Sequence, residues 1–194
     1  MIIIGDVHGK VNEYKKIIDG CDQSICVGDF GFKKEWDWYS DNVDFVKHRI
    51  NPGNHDYGPY LTTHVGSTGD WEYFSDFDLF TIRGAKSIDQ TLRIEGISWF
   101  ANEQLTYSEG LIVFDKYCEL KPKIVVSHDA PHSVIEHLFK YGWLDKSNTT
   151  QLLQRMFEEW QPELWVFGHH HQSKDVVING TRFICLNELE TFKL

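Results

Sequence analysis

Five short apolar stretches in this chain each run directly into an Asp, Asn or His, and this repeated junction restricts the fold more than any other feature. Met1 to Ile4 leads into Gly5-Asp6-Val7-His8-Gly9, Ser24 to Val27 into Gly28-Asp29-Phe30-Gly31, and Arg49-Ile50 into Asn51-Pro52-Gly53-Asn54-His55-Asp56. Lys123 to Ser127 delivers His128-Asp129-Ala130-Pro131, and Leu164 to Phe167 delivers Gly168-His169-His170-His171. Apolar runs of this length read as buried strands, and the spacing between them predicts helices over Val11 to Ile18, Trp36 to His48, Pro131 to Tyr141 and Thr149 to Trp160. Alternating strand and helix implies an α/β fold, in which ligands gather beyond the carboxyl ends of the strands. Asp6 and His8 are two residues apart, as are His169 and His171, so in extended chain each pair leaves one face and can reach one pocket.

The rest of the chain is less regular. Val176 to Ile178 and Thr181 to Leu186 flank Asn179-Gly180, a pair suited to a two-residue hairpin turn, so a mixed sheet is expected. From Tyr57 to Gln104, strand-like pieces such as Phe80-Thr81-Ile82 and Ile97 to Phe100 stand among long loops. No repeat, low-complexity run or linker divides the 194 residues, and a chain of this length can bury a self-sufficient core, so a single domain over 1–194 is expected. Trp36, Trp38, Trp143, Trp160 and Trp165 are assigned to that core, while Tyr57, Trp71, Trp99 and Phe100 are weaker candidates for a pocket wall.

Composition narrows the partners. With 19 Lys+Arg against 29 Asp+Glu the net charge is −10, which argues against tracking a nucleic-acid duplex and leaves small phosphorylated ligands open. No apolar run approaches the roughly 18 residues of a membrane span, and Met1 leads into Ile2-Ile3-Ile4 without a basic leader, so a cytoplasmic protein is expected. Cys21, Cys26, Cys118 and Cys185 sit singly and read as free thiols. The junction residues combine carboxylates, an amide carbonyl and imidazoles with no thiolate. Such a set suits Mn²⁺, Fe, Zn²⁺, Ni²⁺ or Co²⁺ better than a Mg²⁺ or Ca²⁺ cage, and is large enough for two ions. Taken alone, each motif reads more readily as a turn or a helix cap; their order and completeness reverse this in favour of a metal site. His48, His64, His132, His137 and His170 fall outside the ligand positions and read as structural.

In this order, GDxHG, GDxx, GNHD, a lone His and GHxH, the motifs resemble the calcineurin-like metallophosphoesterases, and they frame the chain from Gly5 to His171. The resemblance implies a four-layer α/β sandwich of two mixed β-sheets flanked by helices. By position it implies that Asp6, His8 and His171 hold one divalent ion and Asn54, His128 and His169 a second, with Asp29 bridging them. Mn²⁺ is the first expectation for the pair, with Fe, Zn, Ni, Co or Mg as alternatives. The implied reaction is in-line hydrolysis of a small phosphomonoester or phosphodiester, nucleotide-type substrates favoured, by a hydroxide bridging the ions. Asp29 and His55 would be the catalytic residues: His55, next to Asn54, would face the substrate with it and protonate the leaving alkoxide.

Two departures qualify the resemblance. Where the protein Ser/Thr phosphatase branch reads GDxxDRG, this chain has Phe32 and Lys33, so the usual carboxylate brace and arginine clamp are missing from that block. Asp56 is the nearest candidate partner for His55, and Lys33, Lys34, Arg83 and Lys86 are candidate phosphate contacts. The stretch from Arg83 to Asp89, with Trp99 and Glu103-Gln104, is similar to small bacterial and bacteriophage members. The rival expectation is a non-catalytic binding or assembly module that keeps the same fold.

Overall fold

The computed structural model describes residues 1–140 and 147–194. Strands β1 (Ile2–Ile4), β2 (Ser24–Cys26) and β3 (His48–Ile50) pair in parallel, with Ile3 opposite Ile25 and Ile25 opposite Arg49. β10 (Thr191–Lys193) runs antiparallel to β1, giving a sheet of order β10-β1-β2-β3. In the second sheet β5 (Leu79–Ile82), β6 (Ile124–Ser127), β7 (Leu164–Phe167) and β9 (Thr181–Cys185) are parallel. β4 (Trp71–Phe74) and β8 (Lys174–Ile178) flank them antiparallel, in the order β4-β5-β6-β7-β9-β8. Asn179 and Gly180 both take positive φ, 50° and 86°, which lets a two-residue turn join β8 to β9.

Three apolar layers bind these parts. Ile3, Ile25 and Val27 from the first sheet meet Leu79, Val126 and Val166 from the second, joining the sheets face to face. On the outer face of the first sheet, Ile4, Cys26 and Ile50 pack under α1 (Val11–Ile18) and α2 (Lys33–Asn42) through Tyr14, Trp36 and Tyr39. The outer face of the second sheet packs under α3 (Tyr107–Leu120), α4 (His132–Phe139) and α5 (Asn148–Glu159). The result is the expected four-layer sandwich. Because β1, β2, β6 and β7 are covered on both faces, they read as continuous apolar runs and not as alternating ones.

Several elements differ from expectation. α2 stops at Asn42, short of His48, because Asp44 starts a turn: its Oδ1 accepts the Val46 N–H at 3.1 Å and its carbonyl takes those of Lys47 and His48. His48 is then free to pair with Ser24 in the sheet. α3 lies outside the expected helices, although Thr106 and Glu109 form a capping box, each side chain accepting the other's backbone N–H. Ile97 to Phe100 is not a strand: the N–H groups of Ile97, Ser98 and Trp99 fold back onto the Ile94 carbonyl, and a single bridge joins Glu95 to Trp99. α4 ends at Phe139; Tyr141 and Trp143 lie outside the described residues. Trp36 and Trp165 are fully buried, and all four cysteines are free. Among the described residues no helix is long and apolar enough to cross a membrane.

Candidate metal centre

All five junctions open at one edge of the sandwich, where β1, β2 and β3 of one sheet and β6 and β7 of the other end side by side. The backbone there is unusual. His8, Asp29, His169 and His171 adopt left-handed conformations, with φ of 46°, 49°, 65° and 50°, a cost of about 1 kcal/mol or more for a non-glycine residue unless its surroundings impose it. The neighbouring glycines are dictated by contact. A Cβ on Gly168 would fall 2.1 Å from Asp6 Oδ1, and one on Gly28, at φ 139°, would fall 2.2 Å from His128 Nδ1. Each glycine leaves space for a side chain delivered by the other sheet.

Two groups of donor atoms form, each with its atoms within 4.8 Å of one another: Asp6, His8, Asp29 and His171, and Asp29, His128 and His169. Asp29 belongs to both. His8 Nε2 lies 2.9 Å from His171 Nε2 and 3.6 Å from Asp29 Oδ2. On the other side His128 Nε2 lies 3.2 Å from Asp29 Oδ1 and 3.0 Å from Asn54 Oδ1. Asp6 Oδ2 accepts the His169 N–H, while its Oδ1 is buried with no hydrogen-bond partner among the described residues. Thus Asp6, His8, Asp29, Asn54, His128, His169 and His171, which the sequence nominates, are brought together, with His55 beside them: its N–H donates to Asp29 Oδ1 at 2.7 Å and its ring centroid is 5.6 Å from that of His8.

A second layer of contacts, which spacing alone does not reveal, aims these groups. His128 Nδ1 donates to the Val27 carbonyl at 3.1 Å, so its Nε2 faces the cluster. Glu188 Oε1 stands 3.3 Å from His171 Nδ1, an ion-pair contact on the ring nitrogen that does not face His8. Asn54 Nδ2 donates to Ser87 Oγ at 3.0 Å, and that hydroxyl donates to Glu103 at 2.6 Å, which turns the amide oxygen of Asn54 inward. Asp56 does not brace His55. Its carboxylate accepts N–H groups from Gly31, Gly53 and the Trp36 indole, tying the second and third junctions together. The group on His55 is Arg93, whose Nη2 is 3.2 Å from His55 Nε2.

The cluster is electrostatically demanding. Burial opposes charge on His128, but the facing Asp29, then Asp6 and Asp56, raise it to about 10. Burial likewise favours a neutral Asp29, yet His128, followed by His55 and His8, holds it well below the usual carboxylate range. Burial lifts Asp56 to about 7, with Asp29 adding to the effect, and burial draws His169 down to about 3. Buried carboxylates here call for positive charge, which a divalent cation would supply.

These residues fit divalent cations. Oxygen and imidazole donors converge from both sheets, one buried carboxylate oxygen lacks a partner, and two imidazole nitrogens face each other at a separation that requires a proton or cation between them. The cluster opens into a cleft of about 740 Å³, lined by Asn54, His55, Lys86, Ile88, Thr91 and Ile135 among others. Of the candidate phosphate contacts, Lys86 reaches it. Arg83 is buried against Asp70 and the Asn102 carbonyl, and Lys33 pairs with Asp37 on α2. The suggested wall residues are used elsewhere: Trp71 stacks on Phe80, and Tyr57 packs edge-on against Phe100. His170, read as structural, lines the cleft and lies 3.2 Å from Asp129.

A sandwich of two mixed sheets with this donor cluster at its parallel-strand edge defines a metal-dependent phosphoester hydrolase. The family model for calcineurin-like phosphoesterases matches residues 1–173, and the chain belongs to that family. Among solved structures it is similar to a dimetal phosphatase from Danio rerio, at 11% identity and a TM-score of 0.58, covering 97% of this chain and 88% of that one. It is also similar to the phosphopantetheinyl hydrolase of Mycobacterium tuberculosis, at 15% identity and a TM-score of 0.56, covering 96% and 89%. At these identities the likeness is one of fold. No curated protein matches the chain.

Proposed function

We propose that the chain, folded as one domain over residues 1–194, is a dinuclear metallophosphoesterase acting on small phosphomonoesters or phosphodiesters. The observation that carries the reading is the pair of donor groups sharing Asp29. Asp6, His8 and His171 would hold one ion, Asn54, His128 and His169 the other, and Asp29 would serve both. The all-oxygen-and-imidazole set matches Mn²⁺ first, with Fe, Zn, Ni, Co or Mg able to substitute. When bound, such ions would supply a nucleophile from water at neutral pH and offset phosphate charge. The chain's own residues do the rest: Asn54 and His55 contact the substrate, and His55 holds a proton for the leaving oxygen.

The test is metal content by mass spectrometry, coupled to an assay of the Mn²⁺-reconstituted protein on p-nitrophenyl phosphate and bis-p-nitrophenyl phosphate. Near two ions per chain and turnover of either ester are expected, with turnover lost in Asp29→Asn. His55→Ala should keep its ions and lose about 10²–10⁴-fold in rate. Fewer than one ion and no turnover would instead favour the non-catalytic binding module.

A further inference from the structure

The phosphatase-branch arginine is absent from the second junction, yet a guanidinium reaches the site from elsewhere. Arg93 lies in the loop after β5, and its side chain is held at three points. Nε donates to Asp89 Oδ1 at 2.6 Å, Nη1 to the Ser98 carbonyl at 3.0 Å, and Nη2 to His55 Nε2 at 3.2 Å. Its side chain is 19% exposed, so it is neither waving in solvent nor sealed in the core. A guanidinium has five N–H groups. These contacts use three, leaving one N–H on each terminal nitrogen for an anion's oxygens. Asp89 and His55, the side chains Arg93 bonds, both line the cleft, and the guanidinium stands behind them.

We propose that Arg93 anchors the phosphoryl group of the substrate and that the site is thereby built for phosphomonoesters. The inference rests on the phosphoesterase reading above. A monoester near neutral pH carries up to two negative charges and three non-bridging oxygens, whereas a diester carries one charge and two such oxygens. A fixed cation beside the donor cluster therefore has an additional oxygen and charge to hold in the monoester. As Nη2 donates to that oxygen it releases His55 Nε2, which is then free to take a proton from solvent and carry it to the leaving oxygen. Asp89 and the Ser98 carbonyl keep the guanidinium in place during the exchange, so its orientation is set before substrate arrives.

The test compares wild type with Arg93→Met and Arg93→Lys, all Mn²⁺-reconstituted, on p-nitrophenyl phosphate and bis-p-nitrophenyl phosphate. Binding of inorganic phosphate is measured separately by calorimetry. Arg93→Met should raise KM for the monoester about tenfold or more, weaken phosphate binding by a similar factor, and change diester KM several-fold less, with metal content unchanged. Arg93→Lys should fall between the two. Asp89→Asn, which loosens the guanidinium without removing it, should shift the monoester in the same direction by a smaller factor, and it replaces Arg93→Met should that variant fail to fold. An equal loss on both esters with phosphate affinity intact would overturn the proposal and reduce Arg93 to a support for His55. Wild type that binds ions but turns over neither ester would sink the phosphoesterase reading itself, while phosphate affinity unchanged in Arg93→Met would sink this inference alone.

Discussion

At the scale of single residues, the site depends on side chains that touch no ion in any arrangement of the cluster. Glu103 is the clearest case. It is 3% exposed, accepts both the N–H and the hydroxyl of Ser87, and through that hydroxyl sets which end of the Asn54 amide faces inward. Glu103→Gln puts an NH₂ where one of these acceptors stood, so Ser87 loses a partner and Asn54 loses its orientation. Metal affinity should fall by about 10–100-fold, read as the Mn²⁺ concentration needed for half-maximal activity, while the thermal midpoint of the metal-free protein shifts much less. Unchanged Mn²⁺ dependence would show that Asn54 is oriented by something else. Asp56 illustrates a different economy of contacts. One carboxylate satisfies three donors from three segments, so the junctions around it are fixed relative to one another before any ion binds.

At the scale of elements, the segment after β3 is pinned to α2 by aromatic contacts and by His64. Its Nδ1 accepts the Gly66 N–H at 3.0 Å and its Nε2 meets Ser40 Oγ at 2.7 Å, which requires a neutral ring. Burial lowers its pKa below the ordinary value, against the opposing pull of Asp37. An unfolded histidine titrates near 6.5, so the unfolded chain takes up this proton first as pH falls, and stability present above that pH is lost as pH drops through the native value. The fall in thermal midpoint between about pH 7.5 and 5.5 should be shallower in His64→Asn, whose amide oxygen can keep the Gly66 bond. An identical slope would remove His64 from the account.

The same scale shows why some elements are legible in the sequence and others are not. β1, β2, β6 and β7 are covered on both faces and announce themselves as apolar runs, and the residues that follow them carry the candidate donors. β4 and β10 are short edge strands whose residues are only partly covered, so neither composition nor alternation marks them. The segment from Arg83 to Gln104 is organised by pairings across the loop, Arg83 with Asp70, Arg93 with Asp89 and Ser87 with Glu103. No periodicity encodes such pairings. That is why the donor set could be nominated from motifs while Arg93 and Glu188 could not. α3 is the opposite case, since Thr106-Tyr107-Ser108-Glu109 is a readable capping signal.

At the scale of the whole molecule, ions held as proposed bind the native state and not the unfolded chain, so they add stability by mass action. At a free concentration of about 100 times the dissociation constant the gain is about 2.7 kcal/mol, or about 5–10 °C in thermal midpoint for a chain of this size. Calorimetry of the Mn²⁺-loaded protein before and after chelation should show that shift, and Asp29→Asn should show little of it. A midpoint indifferent to chelation in the wild type would mean that the cluster does not hold ions in the folded state.

The first donor group also joins residues from opposite ends of the sequence, since His8 and His171 stand 163 positions apart and yet face each other. During synthesis the amino-terminal half of the cluster therefore waits for its complement until the seventh strand has emerged and docked, followed by Glu188 to steady His171. An ion caught earlier would find Asp6, His8 and Asp29 without His171 to close the group. On the dinuclear reading, metal loading would follow the docking of β7, and a cell short of metal would accumulate chains whose sheets are already joined through their apolar layer but whose donor cluster is empty.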